Sequence, residues 1–447
     1  MTTRIINRLI LAALTLLSLP LQAANLIDIF NQAQKNDPVI LAARAQLSAD
    51  AEIVPQSRAT LLPSLSLTAN TQIIDRETSG GANLDERFNS NSYAAQLSQP
   101  LFRADRWFTL NAAKASKKQA EFSYQQAQQE LILRVATAYF DILRNQNNLS
   151  AAKSREVAFR RQLEQATERF DVGLIAATDV YEAQAELDLA VVVQISSEEQ
   201  RHNSYNTLQS LTNQNHTNID LLANKDIPVE GPTPALLKDW VDSALANNHQ
   251  LTAQKYQLEV TKQLLYAEKS GHLPTIDAKA NYIHTEDGGT SFLGQQADTK
   301  SFALELSMPL FEGGLRNSKV REAHYRHEQA KQDYQNTHHQ IREQIQTQYR
   351  TVTTDVLRIK ARKTALKSSS SALEATKGGY EVGTRNIIDV LQAQNHSFDA
   401  QRNYSNALYD YTINLLTLKQ LAGTLTKTDL EDINGWLQTE KTAPKSE

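Results

Sequence analysis

The acidic residues that follow two glycine turns are the first candidates for chemistry in this sequence. Asp179 comes six residues after Gly173, and Asp389 comes six residues after Gly383. A carboxylate can bind a cation or stabilise a helix start, and Asp389 also comes three residues after Asn386, a strong N-cap residue. Stabilising the first turn of a helix is the simpler role for both carboxylates. A cation site is the alternative.

Histidines and nucleophiles give little support for a catalytic site or a metal centre. Two close histidine pairs lie in helix-like stretches with no acidic triad nearby: His324 with His327, and His338 with His339. The absence of cysteine excludes thiolate zinc sites, cysteine nucleophiles and a lipid anchor on an N-terminal cysteine. The sequence contains no glycine-rich phosphate loop and no nucleophile elbow. We therefore predict that the protein is not an enzyme and uses no cofactor.

Composition favours long helices over turn-rich folds. The chain has 447 residues, of which only 15 are Gly and 11 are Pro, too few for a propeller or an all-β sandwich. The formal net charge of −4 provides no basic excess to neutralise phosphates, which argues against nucleic acid as a partner.

The N-terminal residues have the pattern of a secretory signal peptide. Arg4 and Arg8 precede a short apolar run that ends near Leu19, and Ala23 offers a small-residue cleavage site. The run is too short for a transmembrane helix, which needs roughly twenty residues. We expect residues 1–23 to be removed on export. No later stretch reads as a transmembrane helix, so any later membrane segment is expected to be a closed β-barrel.

The rest of the chain is a tandem duplication with a period of about 210 residues. The landmarks recur in the same order: Val172-Gly173 as Val382-Gly383, Asp179-Val180 as Asp389-Val390, and the segment ending in Pro-Leu-Phe102 as Pro-Leu-Phe311. A period of this length is too long for a solenoid unit and indicates two whole structural halves. We place the repeats at 24–230 and 231–424, with a C-terminal segment at 425–447 whose tail is expected to be disordered.

Each half is predicted to contain two strands and two very long helices, after short opening helices. Alternating apolar and polar residues predict the strands, and long stretches without Gly or Pro predict the helices. The strands are placed at about 64–75, 90–100, 275–284 and 299–309, and the long helices at about 101–172, 176–212, 315–378 and 386–422. Apolar steps of three and four indicate antiparallel coiled coils that turn at the two glycines.

Four strands cannot close a barrel, and an open sheet edge is not tolerated in lipid. Two chains provide eight strands, with an interior filled by side chains, whereas three provide twelve and leave room for a channel. We therefore expect a symmetric oligomer, with a trimer favoured over a dimer. The predicted fold class is mainly α-helical with a membrane β-barrel. A soluble periplasmic coiled-coil adaptor or scaffold is the alternative.

The order, spacing and duplication of these motifs resemble the TolC family of outer-membrane exit ducts. The resemblance runs from Asn25 to about Leu421, and the lack of cysteine sets the chain apart from the lipid-anchored branch. It implies a homotrimer with a twelve-stranded barrel in the outer membrane and a helical tunnel in the periplasm. It also implies partners: a periplasmic adaptor (membrane fusion) protein, an inner-membrane RND or ABC transporter, and outer-membrane lipid. The implied function is passive export in drug efflux and type I secretion.

The resemblance also assigns roles at the tunnel end. Asp389 corresponds to an acidic ring at the constriction, where three copies would favour a blocking metal cation. Gln392 stands where close relatives have a second aspartate, so weaker cation binding is expected. Tyr380 and Arg385 correspond to residues that tie the inner coil shut, with Thr178 and Asp179 as their partners. The two turns, Val172-Gly173 and Val382-Gly383, correspond to the adaptor docking points.

Overall fold

The computed structural model describes residues 24–77, 86–222, 227–288 and 296–438. The predicted signal peptide, most of the two polar loops between paired strands and the last nine residues lie outside this part of the chain.

The first repeat contains three short helices, two strands and two long helices. Its elements are α1 (Leu26–Asn36), α2 (Pro38–Ala51), α3 (Ile53–Ala59), β1 (Ser64–Arg76), β2 (Glu86–Phe102), α4 (Ala104–Asp171), α5 (Ala177–Thr212) and the two-residue strand β3 (Leu221–Leu222). No Gly or Pro interrupts α4 or α5, so intrahelical hydrogen bonding continues unbroken over 68 and 36 residues.

The second repeat has the same order of main elements. They are α6 (Leu237–Asn247), α7 (His249–Ser270), β4 (Thr275–Asp287), β5 (Gln296–Ser307), α8 (Leu315–Glu381) and α9 (Ile387–Leu421), followed by α10 (Lys427–Asn434) and β6 (Leu437–Gln438). The sequence did not predict α10, β3 or β6. The pairing of β3 with β6 brings the end of the first repeat to the C-terminal segment, a long-range contact that no local pattern encodes.

The strand boundaries differ from the predicted ones at several ends: β4 runs to Asp287 instead of 284, and β5 runs from Gln296 to Ser307 instead of 299–309. β2 begins at Glu86 and runs through Phe102, longer than the predicted 90–100, because its polar residues stay paired with β1 as far as Arg76. The register shifts between Pro100 and Phe102, where proline has no N–H to donate to the ladder. α4 consequently begins at Ala104 rather than at 101.

The strands form one antiparallel sheet in the order β1-β2-β4-β5, so β2 of the first repeat pairs with β4 of the second. The two faces of this sheet differ in chemistry in the rows from Ile276–Leu306 to Asn281–Ser301. One row across all four strands is apolar: Leu65, Leu97, Ala280 and Phe302. The adjacent row, on the opposite face, is polar: Ser66, Gln96, Asn281 and Ser301. The apolar side chains are exposed in the single chain; Phe302 is 79% accessible.

The described residues divide into two compact units that do not coincide with the two repeats. One unit contains the sheet and is formed by the described residues within 43–126 and 249–340, and the other is formed by the described residues within 1–42, 127–248 and 341–447. Each unit therefore draws on both repeats. None of the described helices combines the length and the apolar composition needed to cross a bilayer.

Within the second unit the long helices form two antiparallel hairpins. α4 contacts α5 through Asn145, whose side-chain amide donates to the Gln200 carbonyl at 3.3 Å. α8 contacts α9 through Gln348, whose Nε2 donates to the Asn414 carbonyl at 2.9 Å. Buried Asp355 of α8 also accepts a hydrogen bond from Asn414 Nδ2 at 2.8 Å. These polar contacts fix the register of each hairpin.

A charged pair anchors the opening helices of the first repeat to α4. The Asp37 side chain is only 2% exposed, accepts from the backbone N–H groups of Val39 and Ile40, and lies 2.6 Å from Arg134 Nη2. The corresponding positions of the second repeat hold Asn248 and Gln344, which carry no charge. The same place in the duplicated fold is thus occupied once by an ion pair and once by two amides.

Replacing Arg134 with Gln is expected to lower the free energy of unfolding by about 3 kcal/mol, because it leaves the buried Asp37 carboxylate without its counter-charge. The double variant Asp37→Asn with Arg134→Gln carries the amides of the second repeat and should recover most of that loss. Chemical denaturation of the purified protein in detergent measures both. A double variant as unstable as the single one would contradict this account of the pair.

Candidate functional site

The two glycine turns have the same backbone geometry. The Leu174 N–H donates to the Arg169 carbonyl at 2.9 Å, and the Thr384 N–H donates to the Gly379 carbonyl at 2.8 Å. Gly173 and Gly383 have φ values of 76° and 77°, in the left-handed region that favours glycine. Both turns are therefore Schellman caps, in which the glycine ends one long helix and lets the chain reverse. The duplication seen in the sequence is preserved in the backbone.

The turns present apolar side chains to solvent. Val172 and Leu174 on the first turn are largely exposed, as is Val382 on the second, at 75% accessibility. Each turn therefore presents accessible apolar side chains at the end of a helical hairpin.

The first turn of α9 is fixed by a reciprocal pair of hydrogen bonds. The Asn386 side chain accepts from the Asp389 N–H at 2.8 Å, and the Asp389 carboxylate accepts from the Asn386 N–H at 3.4 Å. This capping box is the helix-stabilising role that the sequence offered as the simpler reading. The carboxylate also has Arg385 Nη1 at 3.8 Å, and that guanidinium is 60% exposed. Asp389 remains partly accessible, and Gln392, one turn further along α9, is exposed.

The first turn of α5 is built differently. Its N-cap is Ala176, which has no side-chain acceptor, so Asp179 does not form a capping box there. The Asp179 N–H donates to the Ala176 carbonyl at 3.1 Å. Within the described residues, no hydrogen bond or ion pair joins Asp179 or Thr178 to Arg385 or Tyr380. The single chain therefore does not bring the four predicted latch residues together.

Tyr380 has other neighbours. The Arg169 guanidinium carbon lies 4.5 Å from the centre of its ring, a cation–π contact between α4 and α8. Its hydroxyl is buried and has no hydrogen-bond partner among the described residues. Arg385 is held over Gly379, where a Cβ atom would lie 2.8 Å from Arg385 Cγ. A side chain at that position would displace the arginine.

A buried cluster next to these turns was not predicted from the sequence. It joins both repeats and consists of Phe159 of α4, Leu187 and Ala190 of α5, and Ile387 and Leu391 of α9. Helical periodicity identified apolar stripes on these helices, but it does not say which stripe packs against which. The sequence feature that could have identified the cluster is the difference between the repeats at matching positions: Phe159 corresponds to Ser369, and Leu391 to Tyr181.

The histidine pairs do not form a metal centre in the part of the chain that the structure describes. No group of three or more His, Asp or Glu side chains there is arranged to hold a metal ion. His327 instead lies 3.2 Å from the Thr261 hydroxyl, and the rings of His338 and His339 meet edge to face.

Comparison with known proteins gives a family match over both repeats. A family model described as "Outer membrane efflux protein" matches residues 29–214 and 240–424. The chain is 35% identical to "Outer membrane protein TolC" of Vibrio cholerae, covering 96% of this chain and 98% of that protein. It is 26% identical to "Alkaline protease secretion protein AprF" of Pseudomonas aeruginosa, covering 92% of this chain and 86% of that protein.

A solved structure shares the fold. The CmeC outer membrane channel of Campylobacter jejuni aligns with a TM-score of 0.78 at 18% identity, over 93% of this chain and 90% of that one. The two matched segments of the family model fall within the two repeats found in the sequence.

Gly383→Ala is expected to destabilise the second hairpin by about 1 kcal/mol, because alanine must adopt a positive φ although its Cβ would meet no neighbouring atom. Gly378→Ala is the matched control: this glycine lies inside α8, its Cβ would also meet nothing, and alanine should stabilise the helix by about 0.5–1 kcal/mol. Thermal unfolding of both variants should shift in opposite directions. Shifts of the same sign would refute the conformational explanation.

Proposed function

Because this chain belongs to the outer membrane efflux protein family, we propose that it is the outer-membrane exit duct of tripartite efflux pumps and type I secretion systems. The similarity to a protease secretion protein supports the second role as well as the first. The duct is a passive conduit, and no catalytic step forms part of the proposal.

The observation that carries the proposal is the four-stranded sheet with one apolar and one polar face. β1 and β5 are its edges, and their outer backbone N–H and C=O groups have no strand partner among the described residues. An apolar face next to two open edges is satisfied when lipid covers the face and identical sheets pair with the edges. The polar face, rich in Ser, Thr, Asn and Gln, then lines a water-filled interior.

The number of copies follows from the width that a channel needs. Two sheets would form an eight-stranded barrel, whose interior is filled by side chains, whereas three form a twelve-stranded barrel that leaves an aqueous passage. A homotrimer is therefore the proposed assembly. A soluble scaffold protein would leave side chains such as Phe302 and Leu304 in water, an arrangement that costs about 25 cal/mol per Å² of apolar surface.

The glycine turns are the proposed contact with a periplasmic adaptor protein, which would in turn connect the duct to an inner-membrane RND or ABC transporter. Their exposed Val172, Leu174 and Val382 provide apolar contact surface at equivalent points of both repeats. Two similar turns in each of three chains would present six related docking points around one axis.

The gate is proposed to lie beside these turns. Three Asp389 carboxylates around the symmetry axis would form one acidic ring, with Gln392 in place of a second. Arg385 does not contact Thr178 or Asp179 of its own chain within the described residues. Its side chain is 60% exposed and is therefore free to contact these residues in a neighbouring copy. Such a charge-assisted contact between copies is strong enough to hold a closed end and weak enough for a docked partner to break.

Purified mature protein is expected to form a detergent-stable trimer that conducts ions across a planar lipid bilayer. The physical reason is that only the closed barrel satisfies the sheet edges in lipid. Single-channel recording together with oligomer mass tests both parts. A monomer that osmotic shock releases and that never conducts would contradict the proposal and favour the scaffold.

Asp389→Ala is expected to weaken block by divalent cations at least about tenfold, a loss of about 1.4 kcal/mol in binding, because it removes the proposed ring of carboxylates. Gln392→Asp should strengthen block by adding a second ring. For each variant, block is measured as the cation concentration that halves the current. Adding a chelator should restore the full current.

Asp399→Ala is the control for this pair of variants. Asp399 lies on the same helix but is paired with Arg402 at 3.0 Å, two to three turns from Asp389. Its loss should leave the block unchanged. Equal block in the Asp389→Ala and unsubstituted proteins would place the constriction elsewhere.

A further inference from the structure

A polar contact crosses between the two repeats beside the buried cluster described above. Asn395 Nδ2 of α9 donates a hydrogen bond to Glu186 Oε2 of α5 at 3.0 Å. Arg155 Nη2 of α4 lies 3.8 Å from the same oxygen, and its guanidinium carbon lies 5.4 Å from the centre of the Phe159 ring. Three helices from two repeats thus meet at one carboxylate. We call this set, Arg155, Glu186 and Asn395, the repeat-joining contact.

The repeat-joining contact has no counterpart with the roles of the two repeats exchanged. At an offset of 210 residues, Arg155 corresponds to Ala365, Glu186 to His396 and Asn395 to Ala185. The other repeat thus has none of these three side chains at the matching positions. The duplicated helices have diverged where α9 meets α4 and α5.

We infer that Glu186 and Asn395 are positioning residues that hold α9 against the first repeat and thereby keep the proposed gate closed. The inference rests on the proposed function, since it assumes that conduction requires the helices beside the glycine turns to separate. α9 begins at Ile387 in the cluster and carries Asp389 in its first turn, so the contact at Asn395, about two turns further on, sets where that carboxylate lies.

The repeat-joining contact combines one stabilising hydrogen bond with two unsatisfied polar atoms, so its net stability is expected to be low enough for it to break and re-form. A hydrogen bond to a charged acceptor is stronger than one between neutral groups. Arg155 Nε and Asn395 Oδ1, however, are buried without a hydrogen-bond partner among the described residues, which costs part of that gain.

Within the second repeat, by comparison, both carboxylate oxygens of buried Asp355 are satisfied. They accept from Arg358 Nη1 at 2.9 Å and from Asn414 Nδ2 at 2.8 Å. The polar contacts within the α8–α9 hairpin are therefore more completely hydrogen-bonded than those between this hairpin and α4 and α5. Separation is expected at the repeat-joining contact, with α8 and α9 moving together.

The test is single-channel recording of the trimer with Asn395→Ala, which places there the residue that the first repeat has. The ratio of open to closed time should rise about tenfold, the factor expected for losing one hydrogen bond to a charged group. Glu186→Ala should behave alike, whereas Glu186→Gln keeps an acceptor oxygen and should stay near the unsubstituted protein. Gln184→Ala is the control, because the one side-chain hydrogen bond of Gln184 to the residues that the structure describes stays within α5, to Asp188 at 2.9 Å.

A second measurement strengthens the contact instead of weakening it, and the expected change in open time is a decrease. A general destabilisation of the fold would not produce that result. The chain has no cysteine, so Glu186→Cys with Asn395→Cys provides the only thiols. Linking them with a short bismaleimide should lower the open time below that of the unlinked double variant.

The outcomes separate the two proposals. If the unsubstituted protein never conducts, the proposed function fails. If it conducts and Asn395→Ala leaves the open time unchanged or lowers it, while the variant remains a folded trimer, the inference fails alone. A linked double variant that opens as freely as the unlinked one would also overturn it.

Discussion

The need of every backbone N–H and C=O group for a partner governs this protein more than any single side chain. In the sheet, β2 and β4 satisfy each other across the two repeats, and β1 and β5 are left with open edges. Water could satisfy those edges, but the apolar row that includes Leu65 and Phe302 is unfavourable in water. One chain therefore cannot satisfy both its backbone and its side chains in one solvent, and this conflict is the physical reason for the closed assembly of several chains proposed above.

The helices meet the same requirement without partners. Their hydrogen bonds are internal, so α4 and α8 extend for 68 and 67 residues; α4 contains no Gly or Pro, and α8 contains no Pro and has glycines only in its last turn, at Gly378 and Gly379. Only the ends need special treatment, and the chain provides it twice with a glycine in the left-handed region and an identical pair of capping bonds. The places where the helices stop are thus also the places where exposed carbonyls, apolar side chains and acidic first turns come together, which explains why the candidate site lies there.

Duplication supplies two similar halves, and divergence makes them unequal. The two turns have matching hydrogen bonds, but Asp37–Arg134 in the first half is Asn248–Gln344 in the second, and α9 has a capping box that its counterpart α5 lacks. Asn395 and Phe159 have small residues at the matching positions. In the proposed trimer, such unequal halves would allow one hairpin to be held while the other is released.

The family predicted from the sequence is confirmed by the family match and by the relatives. The duplication, the long helices, the alternating strands and the glycine turns could all be predicted, because each depends on local periodicity, on residues that break helices or on repeated spacing. The sequence could not determine that β2 pairs with β4, that β3 meets β6, or that α9 packs on Phe159 and Leu187. These contacts join residues 174 to 232 positions apart, and several apolar stripes of similar composition could have packed there instead. Only the tertiary structure chose among them, because packing and hydrogen bonding select one arrangement from many that share the same local pattern.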